Sequence, residues 1–133
     1  MLERKIKFKD VYGNQREGTY YFDLNKAEVT QLNYSYKGGF AEFVKKSARH
    51  EDGHAMTKLF EKLILESYGE PSEDGIRFIK SPEATKAFKE SNAYSELYME
   101  LMRDATKFAD FMNAILPADM NEMVDEEVVV VEG

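Results

Sequence analysis

The sequence has no cysteine and no tryptophan, only three prolines in 133 residues, and no long apolar run. Each shortage excludes something. Without cysteine there is no disulfide, no thiolate nucleophile and no cysteine metal site, which fits a reducing compartment. No stretch approaches the roughly eighteen consecutive apolar residues that a membrane span needs, so a soluble protein without a membrane partner is expected. Met1-Leu2-Glu3-Arg4-Lys5 leads into alternating charge and not into the apolar segment of a signal peptide. Basic excess is also missing: 18 Lys and Arg face 25 Asp and Glu, for a net charge of −7. The imbalance sits at one end. Residues 1–107 carry 18 groups of each sign, whereas residues 108–133 carry Asp110, Asp119, Glu122, Asp125, Glu126, Glu127 and Glu132 and no basic group. A chain without a clustered positive stripe is a poor match for a phosphate backbone, which argues against nucleic acid.

What is present is apolar and aromatic: 43% hydrophobic residues and 13% Phe and Tyr, enough for one core. Arg4 to Lys9 alternates basic and apolar residues, the period of a strand with one wet face. Gly13–Gly18 reads as a hairpin connection and Thr19–Leu24 as the returning strand. A two-stranded ribbon is marginal alone, so it must pack on helices or find a third strand. Asn25 followed by Glu28 predicts a capped short helix, Lys26 to Leu32, and Asn33–Gly39 a connection or brief strand. From Phe40 the period becomes helical. Phe40, Phe43, Val44 and Ala48 share a face, and Met56, Leu59, Phe60, Leu63, Ile64 and Tyr68 form a longer stripe ended by Gly69 and Pro71. Ile76–Ile79 is apolar but too short to classify. Ser81-Pro82 predicts a helix start with Ala84, Ala87 and Phe88 inward. Leu97, Tyr98, Leu101 and Met102 form another stripe, and Asp104 caps a last helix bearing Phe108, Phe111, Met112, Ile115 and Leu116 as far as Pro117. The fold class expected is α+β, mainly helical: a hairpin over residues 4–24 packed on about five helices over residues 40–117. Residues 1–117 form one domain, followed by an acidic, flexible tail over residues 118–133. The tail ends in Val128–Val131, which read either as disordered or as a segment that adds a strand to a partner.

Catalytic constellations are scarce. His50-Glu51-Asp52-Gly53-His54 satisfies the H-E-x-x-H pattern of zinc proteases, which needs both imidazoles on one face of a continuous helix. Asp52-Gly53 favours a turn or a helix start, and no third histidine exists, so a solvated connection is the competing reading. No serine lies in a G-x-S-x-G elbow, and Gly38-Gly39 stands alone without a phosphate-binding motif. Five of the seven methionines, Met99, Met102, Met112, Met120 and Met123, fall in the last third. Methionine suits surfaces that adapt to more than one partner, and it also fills gaps in cores; both readings stay open for Met102 and Met112.

Several strings together resemble a family. They are Phe22-Asp23-Leu24-Asn25-Lys26-Ala27-Glu28, Ile64-Leu65-Glu66-Ser67-Tyr68-Gly69, Ser72-Glu73-Asp74-Gly75, Arg77-Phe78-Ile79-Lys80-Ser81, Ala93-Tyr94-Ser95-Glu96-Leu97-Tyr98-Met99-Glu100-Leu101 and Phe111-Met112-Asn113-Ala114-Ile115-Leu116-Pro117. Over residues 20–117 the chain is similar to the tail assembly chaperones of long-tailed bacteriophages. The resemblance implies a protein of the host bacterial cytoplasm with no cofactor and no reaction. Such proteins hold the coiled-coil-prone tape-measure protein soluble and help tail tube subunits polymerise around it. It implies self-association as well, and in some members a longer frameshifted product. Tyr94, Tyr98, Phe108, Phe111, Met112 and Ile115 are then the expected partner contacts, with core packing as the competing role for each. Two other functions compete: a structural virion protein of the head–tail or tail-completion kind, and a zinc-dependent hydrolase through His50 and His54.

Overall fold

Alternation and turn chemistry build the first two strands. In the computed structural model, which describes residues 1–40, 42, 43, 46 and 53–117, Leu2–Lys9 (β1) and Gln15–Phe22 (β2) pair antiparallel, from Leu2 opposite Phe22 to Lys9 opposite Gln15. Leu2, Arg4, Ile6 and Phe8 turn inward, while Glu3, Lys5, Lys7 and Lys9 face solvent. The connection is tighter than the Gly13–Gly18 stretch expected. The Asp10 carboxylate accepts the Tyr12 and Asn14 N–H groups, both at 2.9 Å, and pairs with Arg16 Nε at 2.8 Å, while Gly13 takes φ 85°. Such a side-chain cap closes the turn early and lets Gln15–Gly18 join the strand.

The hairpin finds both of the supports it needs. Tyr68–Pro71 (β3) and Phe78–Ile79 (β4) extend it into a four-stranded sheet of order β1-β2-β3-β4, with Tyr21 opposite Gly69, Phe22 opposite Tyr68, and Pro71 opposite Phe78. Residues 40–117 are therefore not an uninterrupted helical block. Tyr68, expected at the end of a helical stripe, opens β3 instead. The cause is local and tertiary at once. The buried Ser67 hydroxyl donates to the Leu63 carbonyl at 2.6 Å, and the Ser67 carbonyl accepts the Asp23 N–H at 2.8 Å, which ties the helix end to the end of β2.

Five helices have defined bounds among the described residues: Lys26–Tyr34 (α1), Gly53–Ser67 (α2), Pro82–Lys89 (α3), Asn92–Arg103 (α4) and Ala105–Ile115 (α5). Phe40, Glu42, Phe43 and Lys46 are helical too. Local capping explains the starts. Asn25 accepts the Glu28 N–H at 2.8 Å while the Glu28 carboxylate accepts the Asn25 N–H at 2.9 Å, a reciprocal capping box. Ser81 caps α3 with Pro82 in its first turn, and Asp104 accepts from the Thr106 and Lys107 N–H groups. Val44, Ala48, His50 and the acidic end, residues 118–133, lie outside the described residues.

The helices cover the inner face of the sheet. Phe22, Ile64 and Ala93 are fully buried, and the core cluster runs from Ile6 on β1 to Leu116. Phe22 packs its ring against Tyr68, Phe88 and Phe111, with centroids 5.4–5.9 Å apart, and Tyr68 stacks on Phe88 at 4.4 Å. Ala87, expected inward, is exposed. On a helix of only eight residues, Ala84 and Phe88 at four-residue spacing use the whole buried stripe. Close approach fixes one residue type: a Cβ at Gly69 would sit 2.7 Å from the Ile79 carbonyl oxygen and 2.7 Å from the Phe78 ring. Gly69→Ala is therefore expected to cost about 1–3 kcal/mol by forcing β4 off β3. Urea denaturation checks it, and an unchanged midpoint would contradict the close packing.

Candidate protein-binding surface

Helix α4 carries two neighbouring rows at four-residue spacing. Ala93, Leu97 and Leu101 are buried, and one step around the helix come Tyr94, Tyr98 and Met102. Tyr94 and Tyr98 are half-buried, whereas Met102 is 41% exposed. Tyr94 lies 5.9 Å from Tyr98, Tyr98 meets Phe60 of α2 edge-on at 6.1 Å, and Phe60 meets Phe108 of α5 edge-on at 4.7 Å. The Tyr98 hydroxyl donates to the Thr57 carbonyl at 3.5 Å. At its other end the row joins the core, where Tyr94 meets Phe88 edge-on at 5.7 Å. The result is a band of rings whose backs rest on the core and whose edges, with Met102, reach solvent.

The six residues expected at a partner surface divide into two groups. Tyr94, Tyr98 and Phe108 come together on this band. Phe111, Met112 and Ile115, at 1–3% exposure, lie in the core, where they hold α5 to the sheet. The reason is the tight α4–α5 corner. Asp104 alone separates the helices, in extended conformation with φ −139°, so α5 folds back and turns its strongest apolar stripe toward Phe22. The Ile115 carbonyl then accepts the Leu24 N–H at 2.9 Å. Met102 and Met112, which the sequence could not separate, have opposite fates: Met112 is 3% exposed and fills the core, Met102 faces water. Four-residue spacing from Tyr98 was the signal that places Met102 beside it. His54 is exposed in the first turn of α2 and His50 is outside the described residues. Among the described residues no group of three or more His, Asp or Glu could hold a metal ion.

Electrostatics keep the band chemically quiet. Burial, with the Glu61 carboxylate and Tyr98 nearby, pushes the Tyr94 phenol up to about 12. Burial raises Tyr98 as well, against the Thr57 hydrogen bond. Lys89 donates to Glu61 at 2.7 Å and holds its carboxyl below the usual range. At neutral pH both phenols stay protonated, so they supply ring surface and hydroxyl groups, and no nucleophile or base. The sign of the alkaline response follows. A phenol raised when folded contributes full stability below its unfolded value of about 10, and this is lost as pH climbs through the folded value of about 12. Unfolding free energy should fall by up to about 1.4 kcal/mol per pH unit across that window, and Tyr94→Phe should flatten the slope. Equal slopes for the two proteins would contradict the burial of Tyr94.

A second concavity, a groove of about 680 Å³ between α1, α2 and α3, is lined by Leu24, Gln31, Leu32, Leu65 and Lys86 among others. Lys80 bridges its floor, donating to Glu28 at 2.6 Å and to the Asp23 carbonyl at 2.8 Å. No helix among the described residues is long and apolar enough to cross a membrane.

A family model described as phage tail assembly chaperone matches residues 1–132. No curated protein and no solved structure matches the chain. The match spans nearly the whole sequence, and the chain belongs to the phage tail assembly chaperone family.

Proposed function

We propose that this member of the phage tail assembly chaperone family acts in the host cytoplasm by holding unassembled tail proteins, without catalysing a reaction. Its partners are the tape-measure protein and the tail tube subunit. The observation that carries the reading is the family match over residues 1–132. The ring band supports a way for such holding to work. A partner helix with apolar residues at positions i, i+3, i+4 and i+7 lays them along a groove or row of matching spacing, and Tyr94, Tyr98 and Met102 supply that spacing beside Phe108. Aromatic side chains give large contact area at a small entropic cost, and methionine adapts to more than one partner sequence. The acidic excess of residues 108–133 keeps a complex with an aggregation-prone partner soluble.

Co-expression with the tape-measure protein tests the proposal. The chaperone should keep that protein in the soluble fraction and co-purify with it, or do so with the tube subunit. Failure with both partners would refute it. Mass spectrometry of finished particles separates the proposal from a structural virion role, since a chaperone leaves before the tail is complete.

A further inference from the structure

The ring band and the groove between α1, α2 and α3 are two ends of one surface. Helix α2 is their common wall, with Thr57, Glu61 and Leu65 at four-residue spacing along it. The Thr57 carbonyl meets the Tyr98 hydroxyl. One turn on, Glu61 accepts from Lys89 of α3 at 2.7 Å, and its charge adds to burial in raising the Tyr94 and Tyr98 phenols. Lys89 and Leu65 then line the groove, which reaches Pro82 and Leu24. Residue numbers rise along α2 while they fall from Met102 to Tyr94 and from Lys89 to Pro82. The opposite wall is therefore two consecutive helices, α4 and α3, that run against α2. At 1.5 Å per residue, Met102 to Tyr94 covers about 12 Å and Lys89 to Pro82 about 10 Å. Together they make a trough roughly 22 Å long, the length of a helix of about fifteen residues.

The trough is apolar at both ends and charged between them. Met102, Tyr98 and Phe108 stand at one end, Leu65, Leu32 and Pro82 at the other, and the Glu61–Lys89 pair lies between. Its charge has a sign. Glu28, Glu61 and Glu66 each have a lysine partner, Lys80 at 2.6 Å, Lys89 at 2.7 Å and Lys62 at 3.6 Å. Lys86 also lines the groove, is exposed, and has no ion pair among the described residues. Glu83 and Glu90 of the same helix lie outside the lining. We propose that band and groove together hold one amphipathic helix of a tail protein, about fifteen residues long. The helix is apolar toward both ends of its contact stripe and carries an acidic residue between them, facing Lys86 and Lys89. This rests on the proposed holding of tail proteins and names what is held. Length favours one helix over two separate segments. Isolated helices shorter than about 12–15 residues are marginal in water, so a segment matched to either end alone would pay more to become ordered. A helix that fills the whole trough reaches the stable range and buries both apolar ends at once.

Photo-crosslinking of the full chain, co-expressed with the tape-measure protein or the tube subunit, tests this. A benzoyl-phenylalanine in place of Met102 and, in a second protein, in place of Gln31, exposed on the α1 wall of the groove, should capture the same tail protein. The two cross-linked sites should lie roughly ten to twenty residues apart in one helix. Lys86→Glu should weaken capture about tenfold with an unchanged unfolding midpoint, and reversing the charge of the acidic residue between those sites should restore it. A cross-link from position 102 with none from position 31, or full capture by Lys86→Glu, overturns the trough and leaves the ring band in place. A second copy of the chain captured at position 31 overturns it in favour of self-association. Failure of the unaltered chain to capture either tail protein overturns both readings.

Discussion

Phe22→Ala is expected to lower the unfolding free energy by about 3–5 kcal/mol, the range for deleting a fully buried phenyl ring. Domains of this size are stable by only about 5–15 kcal/mol, so the variant should sit near the limit of folding. The position is costly for a structural reason. Phe22 has no solvent exposure and touches rings from β3, α3 and α5 at once, through Tyr68, Phe88 and Phe111. No neighbour can collapse into the hole without moving an element, because Phe22 is fixed by pairing with Leu2 on one side and Tyr68 on the other. Urea denaturation followed by circular dichroism measures the loss. Thr19→Ala on the exposed face of the same strand is the control, with a shift within about 0.5 kcal/mol. A loss under about 1.5 kcal/mol for Phe22→Ala would mean that Phe22 is not the hub of the aromatic core.

The second large effect concerns binding and leaves the fold alone. Met102→Lys should weaken capture of the tape-measure protein or tube subunit by about 10–100-fold, since it places a charge in the centre of the proposed contact. Stability should move by less than about 0.5 kcal/mol, because Met102 is 41% exposed and a cation in the last turn of α4 suits the helix dipole. The two readouts together are what give the experiment force. A buried position such as Ile115 would lose binding merely by unfolding. Unchanged affinity in a folded Met102→Lys protein would move the binding surface off the ring band, while a result confined to Tyr94 or Tyr98 variants would narrow it to the α3 side.

Much of the fold was legible because the signals are short-ranged. Asn25 with Glu28, Ser81 with Pro82, and Asp104 each satisfy backbone N–H groups within a few residues, so each helix start could be read from a few letters. The hairpin strands declare themselves by alternation. The candidate surface was half legible. Tyr94, Tyr98 and Phe108 were identified and lie together, but the same apolar periodicity also picked out Phe111, Met112 and Ile115, because a stripe shows that a helix has an apolar face without showing what covers it.

What the sequence determined alone is thus the hairpin, the helical stripes with three of their starts, the confinement of surplus negative charge to one end, and the family. Tertiary structure decided three further things. It made Tyr68–Pro71 and Phe78–Ile79 strands, because those segments take their hydrogen bonds from β2 and from each other, some fifty residues distant in the first case. It turned α5 inward, because a one-residue corner leaves that helix nowhere else to lay its stripe. It also set Met102 outside and Met112 inside, a choice between two chemically identical side chains that only the packing of whole helices can make.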